Sequence, residues 1–326
     1  MKRGIAMVFV FFFGLSVFAL TAPAAAFDLD DYIPKTSKWG PADEIGNCNY
    51  LTPKKILEAA SLIKKGRVID MGQVYYEGLP AYPPRTYKCW LLVHGLMEPW
   101  GMEEATDMEE YVVMSTGIAT QLDGFAHVGC DYTFYNGVKH TDIVAPTGAK
   151  KFGMEKVPPI VTRGVLVDMV AYKGRNLGPS ECITLEDFKA CMKKEGVELR
   201  QGDALIIHTG WMRFWDLDPG KFCQSSPGID QDIARYLVGK GIVGIGTDQF
   251  TTECFPHKGF PKEKGSFFIP CHVILLGNGI HLFQNLVTEE LAKACAEDGN
   301  YEFLFCFTHP KLKGTVQGIG QPIAIK

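Results

Sequence analysis

The sequence predicts an α/β fold, built as a single domain over residues 27–326. Three observations carry that prediction. Segments with strand and helix periodicity alternate through the second half of the chain. The 326 residues are 46% hydrophobic with a net charge of -4, the balance of an ordinary globular chain long enough to bury a large core. No internal repeat and no low-complexity linker divides it. The mild acidity and the lack of a basic stripe argue against a nucleic-acid partner.

Residues 1–26 stand outside the fold. Lys2 and Arg3 form a positive start, residues 5–20 an apolar run, and Ala24, Ala25 and Ala26 a small-residue site before Phe27. This is the pattern of a secretory signal peptide. The mature protein is therefore expected to be exported and periplasmic, with no stable membrane insertion once the leader is cleaved. An uncleaved anchor is the alternative; Thr21 and Pro23 break the run and argue against it.

The domain opens irregularly over 27–50, with Pro34, Pro41 and Trp39-Gly40. Thr52-Pro53 supplies an N-cap and a first-turn proline, and Ile56, Ala59, Ala60 and Ile63 recur at helical spacing. A helix is predicted over 53–64, ended by Gly66. A strand follows at 68–76. Residues 77–110 are rich in Pro, Gly and aromatics and read as a long loop holding one strand near 90–94, the kind of segment that often binds ligand. Strands are predicted at 111–114 and 119–128, and Tyr135-Asn136-Gly137 marks a turn. Residues 161–170 read as a buried strand. Thr184 caps a helix reaching 194, with acidic residues in its first turn. A strand at 204–208 leads to a helix over 229–238, closed by Gly239 and Gly241. The strand at 242–246 ends at Thr247-Asp248. A short helix at 272–276, a strand at 280–284, a helix at 288–296 and a strand at 303–307 complete the pattern.

The chemistry concentrates at residues 120–127. Read as a strand, this stretch turns Gln121, Asp123 and His127 to one face, with Phe125 between them. A carboxamide, a carboxylate and an imidazole on one face suit a divalent cation with a base beside it. They equally suit a hydrogen-bonded polar strand face. Ten cysteines permit disulfides in an exported chain, but no C-x-x-C occurs and Cys191, Cys295 and Cys306 sit in apolar segments, as small buried residues do. His127 with Cys130, and Cys271 with His272, are weakly spaced ligand pairs. His94, His140, His208, His257, His281 and His309 read as surface or structural residues. Tyr82, Trp90, Trp100 and Phe250 are candidate pocket walls, with Trp90 placed on substrate.

Over nearly the whole mature chain the sequence resembles the metal-dependent cyclase family of hydrolases, to which bacterial kynurenine formamidase, isatin hydrolase and trans-dienelactone hydrolase belong. The likeness rests on ordered segments. Trp39-Gly40-Pro41-x-Asp43-x-x-Gly46 and Asn49-Tyr50-Leu51-Thr52-Pro53 resemble the N-terminal part of the longer members. Thr120-Gln121-x-Asp123-Gly124-x-x-His127 resembles the metal motif. Arg163 to Asp168, Gly202-Asp203-Ala204-Leu205 with Thr209-Gly210-Trp211, Gly246-Thr247-Asp248, and His272 to Ile280 followed by Gln284-Asn285-Leu286 follow in order. The resemblance implies a mixed central β-sheet with flanking helices, of the swivelling β/β/α type. It also implies a homodimer or higher homo-oligomer.

By the same resemblance, Asp123 and His272 are metal ligands and His127 is the catalytic acid/base. The chain departs from the formamidase-like pattern at Gly117 and Gln121, where that pattern has histidines, and at Gln284, where it has glutamate. Longer members often carry Gln at the second position. The implied metal set is Gln121, Asp123 and His272, with Gln284 as fourth ligand or behind it. Charge favours one divalent ion, since Asp123 is the sole anionic ligand placed. Carboxamide and carboxylate donors shift the preference from zinc towards manganese. The expected reaction is hydrolysis of a small lactone, ester or cyclic amide, with Asp248 orienting substrate or His127, or else merely capping a strand end. A metal-dependent lyase or cyclase, and a non-catalytic periplasmic binding protein, are the alternatives.

Overall fold

The computed structural model describes residues 32–92, 99–256 and 269–326. The predicted leader and the loop histidines His94 and His257 lie outside these residues. In chain order the elements are α1 (Pro53–Ala60), β1 (Val68–Asp70), β2 (Tyr87–Leu92), β3 (Glu109–Met114), β4 (Gln121–Asp123), α2 (His140–Ile143), β5 (Ile160–Asp168) and α3 (Met169–Lys173). They continue with β6 (Cys182–Ile183), α4 (Leu185–Glu195), β7 (Ala204–His208), α5 (Phe214–Leu217), α6 (Pro219–Gln224), β8 (Gly228–Ile229), α7 (Gln231–Lys240) and β9 (Gly244–Thr247). Last come α8 (Pro270–Gly277), β10 (His281–Gln284), α9 (Glu289–Asp298), β11 (Glu302–Phe307), β12 (Gln317–Ile319) and β13 (Ile323–Ile325).

Local chemistry sets the helix ends. Thr52 accepts from the Lys55 amide at 3.2 Å, with Pro53 behind it, and Thr184 accepts from the Asp187 amide at 3.1 Å. Asp168 accepts from the Ala171 amide at 2.8 Å. That cap ends β5 two residues before the predicted limit and starts α3 instead.

Nine strands form one mixed sheet in the order β1-β13-β11-β5-β7-β9-β10-β4-β12. Its centre, β5-β7-β9-β10, is parallel and its flanks are antiparallel. Alternation along β5 sends Val165 and Val167 to one face, against Phe188 of α4, Leu237 of α7 and Ile274 of α8. Leu166 faces the other side, with Leu291 and Cys295 of α9. Helices thus cover both faces, which is why β5 and β7 read as continuous apolar runs. Each such aliphatic side chain contributes about 1.5–3 kcal/mol by leaving water.

Several elements differ from expectation. The strand predicted at 68–76 stops at Asp70, and the helix predicted to 64 stops at Ala60. The strand near 90–94 is β2, which pairs with β3 as a two-stranded ribbon outside the main sheet. The strand predicted over 119–128 shrinks to β4, because the chain bends at Gly124. A Cβ there would meet the Met154 sulfur at 2.6 Å and the Val316 carbonyl oxygen at 2.9 Å. One disulfide, Cys182–Cys254, links β6 to the segment after β9. The short helices α5 and α6 and the strands β12 and β13 carry little periodicity and were not predicted.

Candidate active site

Strand register builds the site. β4 runs antiparallel to β10 on one side and to β12 on the other. Gln121 lies opposite Gln284, and Asp123 opposite Gln317. Directly opposed side chains share a face, so three carboxamides converge on one carboxylate. All four residues are buried. Gln121 Nε2 donates to Gln284 Oε1 at 3.0 Å and to Asp123 Oδ1 at 3.1 Å. Gln317 Nε2 donates to the same Oδ1 at 2.7 Å. Asp123 Oδ1 is thereby occupied by two N–H donors. Asp123 Oδ2 and Gln121 Oε1 are buried with no hydrogen-bond partner among the described residues. An unsatisfied buried acceptor costs about 1–3 kcal/mol, so two on the same strand face mark a place for a ligand.

His272 enters from α8. Its Nδ1 lies 3.0 and 2.8 Å from the two carboxylate oxygens of buried Glu253. With Nδ1–H donated there, the neutral ring presents Nε2 as an acceptor, 3.7 Å from Asp123 Oδ2 and 2.8 Å from Gln284 Nε2. Burial pushes the His272 pKa down, but the Glu253 and Asp123 carboxylates outweigh it and hold the pKa above the ordinary histidine value. Glu253 is itself pinned: its neighbour Cys254 carries the disulfide, and the Ile229 amide of β8 bonds the Thr252 carbonyl at 3.1 Å.

His127 reaches the site through a turn, not through strand alternation: its amide bonds the Gly124 carbonyl at 3.0 Å. Its Nε2 lies 3.4 Å from Gln317 Nε2 and 3.9 Å from Asp123 Oδ1. Burial lowers its pKa against the pull of Asp123, with His272 and Arg85 adding to the lowering, so the ring stays a neutral base. A cavity of about 150 Å³ opens over these groups, lined by His127, His272, Gln284, Arg85, Tyr82 and Phe250. A larger hollow of about 370 Å³, beside Trp39 and Tyr135, offers neither imidazole nor carboxylate in its lining.

Five residues singled out in the sequence therefore come together: Gln121, Asp123, His127, His272 and Gln284. Two others do not. Asp248 is buried, but its carboxylate accepts from the Thr209 amide (3.0 Å), the Thr209 hydroxyl (2.5 Å) and the Trp211 amide (3.1 Å), so it braces two loops instead of orienting His127. Trp90 sits on the β2–β3 ribbon, 52% exposed and away from the cavity lining. The cysteines of the two weakly spaced pairs lie apart from the cavity lining, and Cys271 Sγ points at the Ile229 carbonyl, 3.7 Å away. Glu253, Gln317 and Arg85 escaped the sequence reading. Gln317 depends on a β12–β4 pairing across nearly two hundred residues. Gly117 carries its one local trace: a Cβ there would lie 2.2 Å from Gln317 Oε1, so the amide fills the space a side chain would take.

The donor set fits one divalent ion. It offers a carboxylate oxygen and an amide oxygen, both unpartnered, and an imidazole nitrogen whose far side is held by a carboxylate. Among the described residues no three His, Cys, Asp or Glu side chains cluster for a metal, so an ion held here would depend on the carboxamides.

Comparison with known proteins bears on this site. No curated protein matches the chain. A crystal structure described as a novel cyclase is 29% identical, with a TM-score of 0.81, covering 90% of this chain and 100% of that one. Isatin hydrolase A from Ralstonia solanacearum is 18% identical with a TM-score of 0.59, covering 84% and 98%. A predicted metal-dependent hydrolase from Bacillus stearothermophilus is 17% identical with a TM-score of 0.51, covering 79% and 97%. The last two share the fold. The family model for putative cyclases matches residues 69–254, a span that includes Gln121, Asp123, His127 and Glu253. With more than half of its length matched by that model, the chain belongs to the putative cyclase family.

Proposed function

We propose that this protein is a metal-dependent hydrolase of a small lactone, ester or cyclic amide. The observation that carries the reading is the pair of orphaned oxygens, Asp123 Oδ2 and Gln121 Oε1, the first of them 3.7 Å from His272 Nε2. Asp123, Gln121 and His272 would hold one divalent ion, manganese in preference to zinc, with Gln284 as fourth donor or support. When bound, the ion supplies a Lewis acid that polarises a carbonyl and acidifies water.

The protein's own groups do the rest. His127, neutral because it is buried, accepts the proton of the attacking water at Nε2 and returns it to the leaving oxygen or nitrogen. Gln317 holds Asp123 Oδ1 and sits within reach of His127, fixing the base relative to the carboxylate. Glu253 fixes the tautomer of His272. Tyr82 and Phe250 wall the cavity with apolar rings.

The leader-like residues 1–26 support export to the periplasm. Among the described residues no helix is long and apolar enough to cross a membrane. The exposed apolar ribbon, with Leu91 and Tyr111 both more than 60% exposed, supports association with a second copy. Hydrolysis in ¹⁸O-water tests the reaction class. Label in the product carboxylate is expected; turnover of a lactone, ester or cyclic-amide panel without label points to a lyase, and no turnover with bound ligand points to a binding protein.

A further inference from the structure

We infer that Arg85 is a substrate-recognition residue, and that the substrate is a single-ring molecule carrying a carboxylate. The inference rests on the hydrolase reading for calling the ligand a substrate. Its basis is a guanidinium facing the cavity without an anion. Arg85 Nη1 donates to the Gly117 carbonyl at 2.7 Å, which fixes the side chain beside the site. Among the described residues that is the one hydrogen bond of its guanidinium, and no carboxylate forms an ion pair with it. Elsewhere Arg163 is matched by Asp203 and Glu302, and Arg67 by Glu290 and Glu297, while half-buried Arg213 is held by the Gly210 and Leu177 carbonyls; Arg85 differs from all three in lining the cavity.

Charge leads to the same conclusion. Asp123 and Glu253 are the carboxylates of the site, and one divalent cation balances both. Arg85 is then an uncompensated positive charge on the cavity wall, in a setting where the field is strong. A carboxylate in the cavity neutralises it, and the planar guanidinium fork is shaped for that group. The rest of the wall sets the shape. Tyr82 and Phe250 present near-parallel rings, 12° apart with centroids 6.3 Å apart. The volume, about 150 Å³, matches one that admits a benzene ring.

Benzoate and benzamide separate the charge from the ring. Titration calorimetry is run with each compound on the whole protein, both stripped with chelator and reloaded with Mn²⁺. The inference predicts that benzoate binds at least tenfold tighter than benzamide to the Mn²⁺-loaded protein, and by a smaller margin to the stripped protein, where Asp123 and Glu253 are no longer balanced. Arg85→Gln should lose that advantage while leaving benzamide affinity unchanged, and Arg85→Lys should keep part of it. Equal binding of the two probes to wild type overturns the inference without needing a variant, and so decides the matter even if Arg85→Gln fails to fold. A Mn²⁺-loaded Arg85→Gln variant that keeps the full preference for benzoate also overturns it, because the carboxylate is then a metal ligand. So does an Arg85→Gln variant that loses turnover yet still prefers benzoate, which would make Arg85 a stabiliser of developing charge. Failure of the hydrolase reading looks different: no ¹⁸O incorporation, with benzoate recognition intact.

Discussion

Replacing Glu253 by glutamine probes the support of the proposed metal centre without touching a ligand. Both carboxylate oxygens sit within 3.0 Å of His272 Nδ1, and the residue is fully buried. The variant keeps an acceptor of the same shape and removes the charge. Loss of such a carboxylate partner weakens metal binding about 10- to 100-fold, or about 1.4–2.7 kcal/mol. A second signature follows from protonation. In the wild type the carboxylates raise the His272 pKa against burial, so below that pKa the metal must displace a proton and affinity falls as pH falls. Without Glu253, burial prevails, the His272 pKa drops, and the dependence moves to lower pH. Calorimetric Mn²⁺ titrations at pH 8 and pH 6, in two buffers of different ionisation enthalpy, read both effects. Weaker binding at pH 8, with less proton release at pH 6, is expected. Unchanged affinity together with unchanged proton release would refute the role assigned to Glu253 and His272.

Three further perturbations test separate links. His127→Ala should lower turnover about 10²- to 10⁴-fold while leaving metal content intact, and near-normal hydrolysis would exclude it as acid/base. Gly117→Ala should push the Gln317 amide off Asp123 Oδ1, costing about 1.5–3 kcal/mol in urea unfolding; Gln317→Ala in the same chain should recover no more than the steric part, and an unperturbed single variant would contradict the packing described. Glu195, lifted to about 7 chiefly by burial, holds a proton in the fold that the unfolded chain releases above its ordinary pKa, so it lowers stability as pH rises from about 4.5 to 7. Glu195→Gln should therefore gain up to about 3 kcal/mol over wild type at pH 8 and little at pH 5; equal effects at both would refute the assignment.

The parts legible in the sequence are those set by local rules. β7 was predicted at its observed limits, and α4 to within a residue, because a buried apolar run and a threonine cap announce themselves within a few positions. The site was half legible. Gln121, Asp123, His127, His272 and Gln284 stood out through family resemblance, and cross-strand register, which periodicity does not encode, is what brings the glutamines together. Period-two reasoning put His127 on the strand face; the bend at Gly124 brings it there by another route. Asp248 looked functional because it ends a strand, yet its three donors sit in the loop after β7. Glu253 and Arg85 lie in segments without period or motif, and their roles arise from what the fold sets beside them.

The central claim is that Asp123, with its carboxamide neighbours and His272, holds one divalent cation. Elemental analysis of the purified protein beside an Asp123→Asn variant tests it most directly. About one equivalent of manganese or zinc in the wild type, lost in the variant, is the predicted result. No metal after reconstitution with either ion, or metal retained in full by the variant, would contradict it.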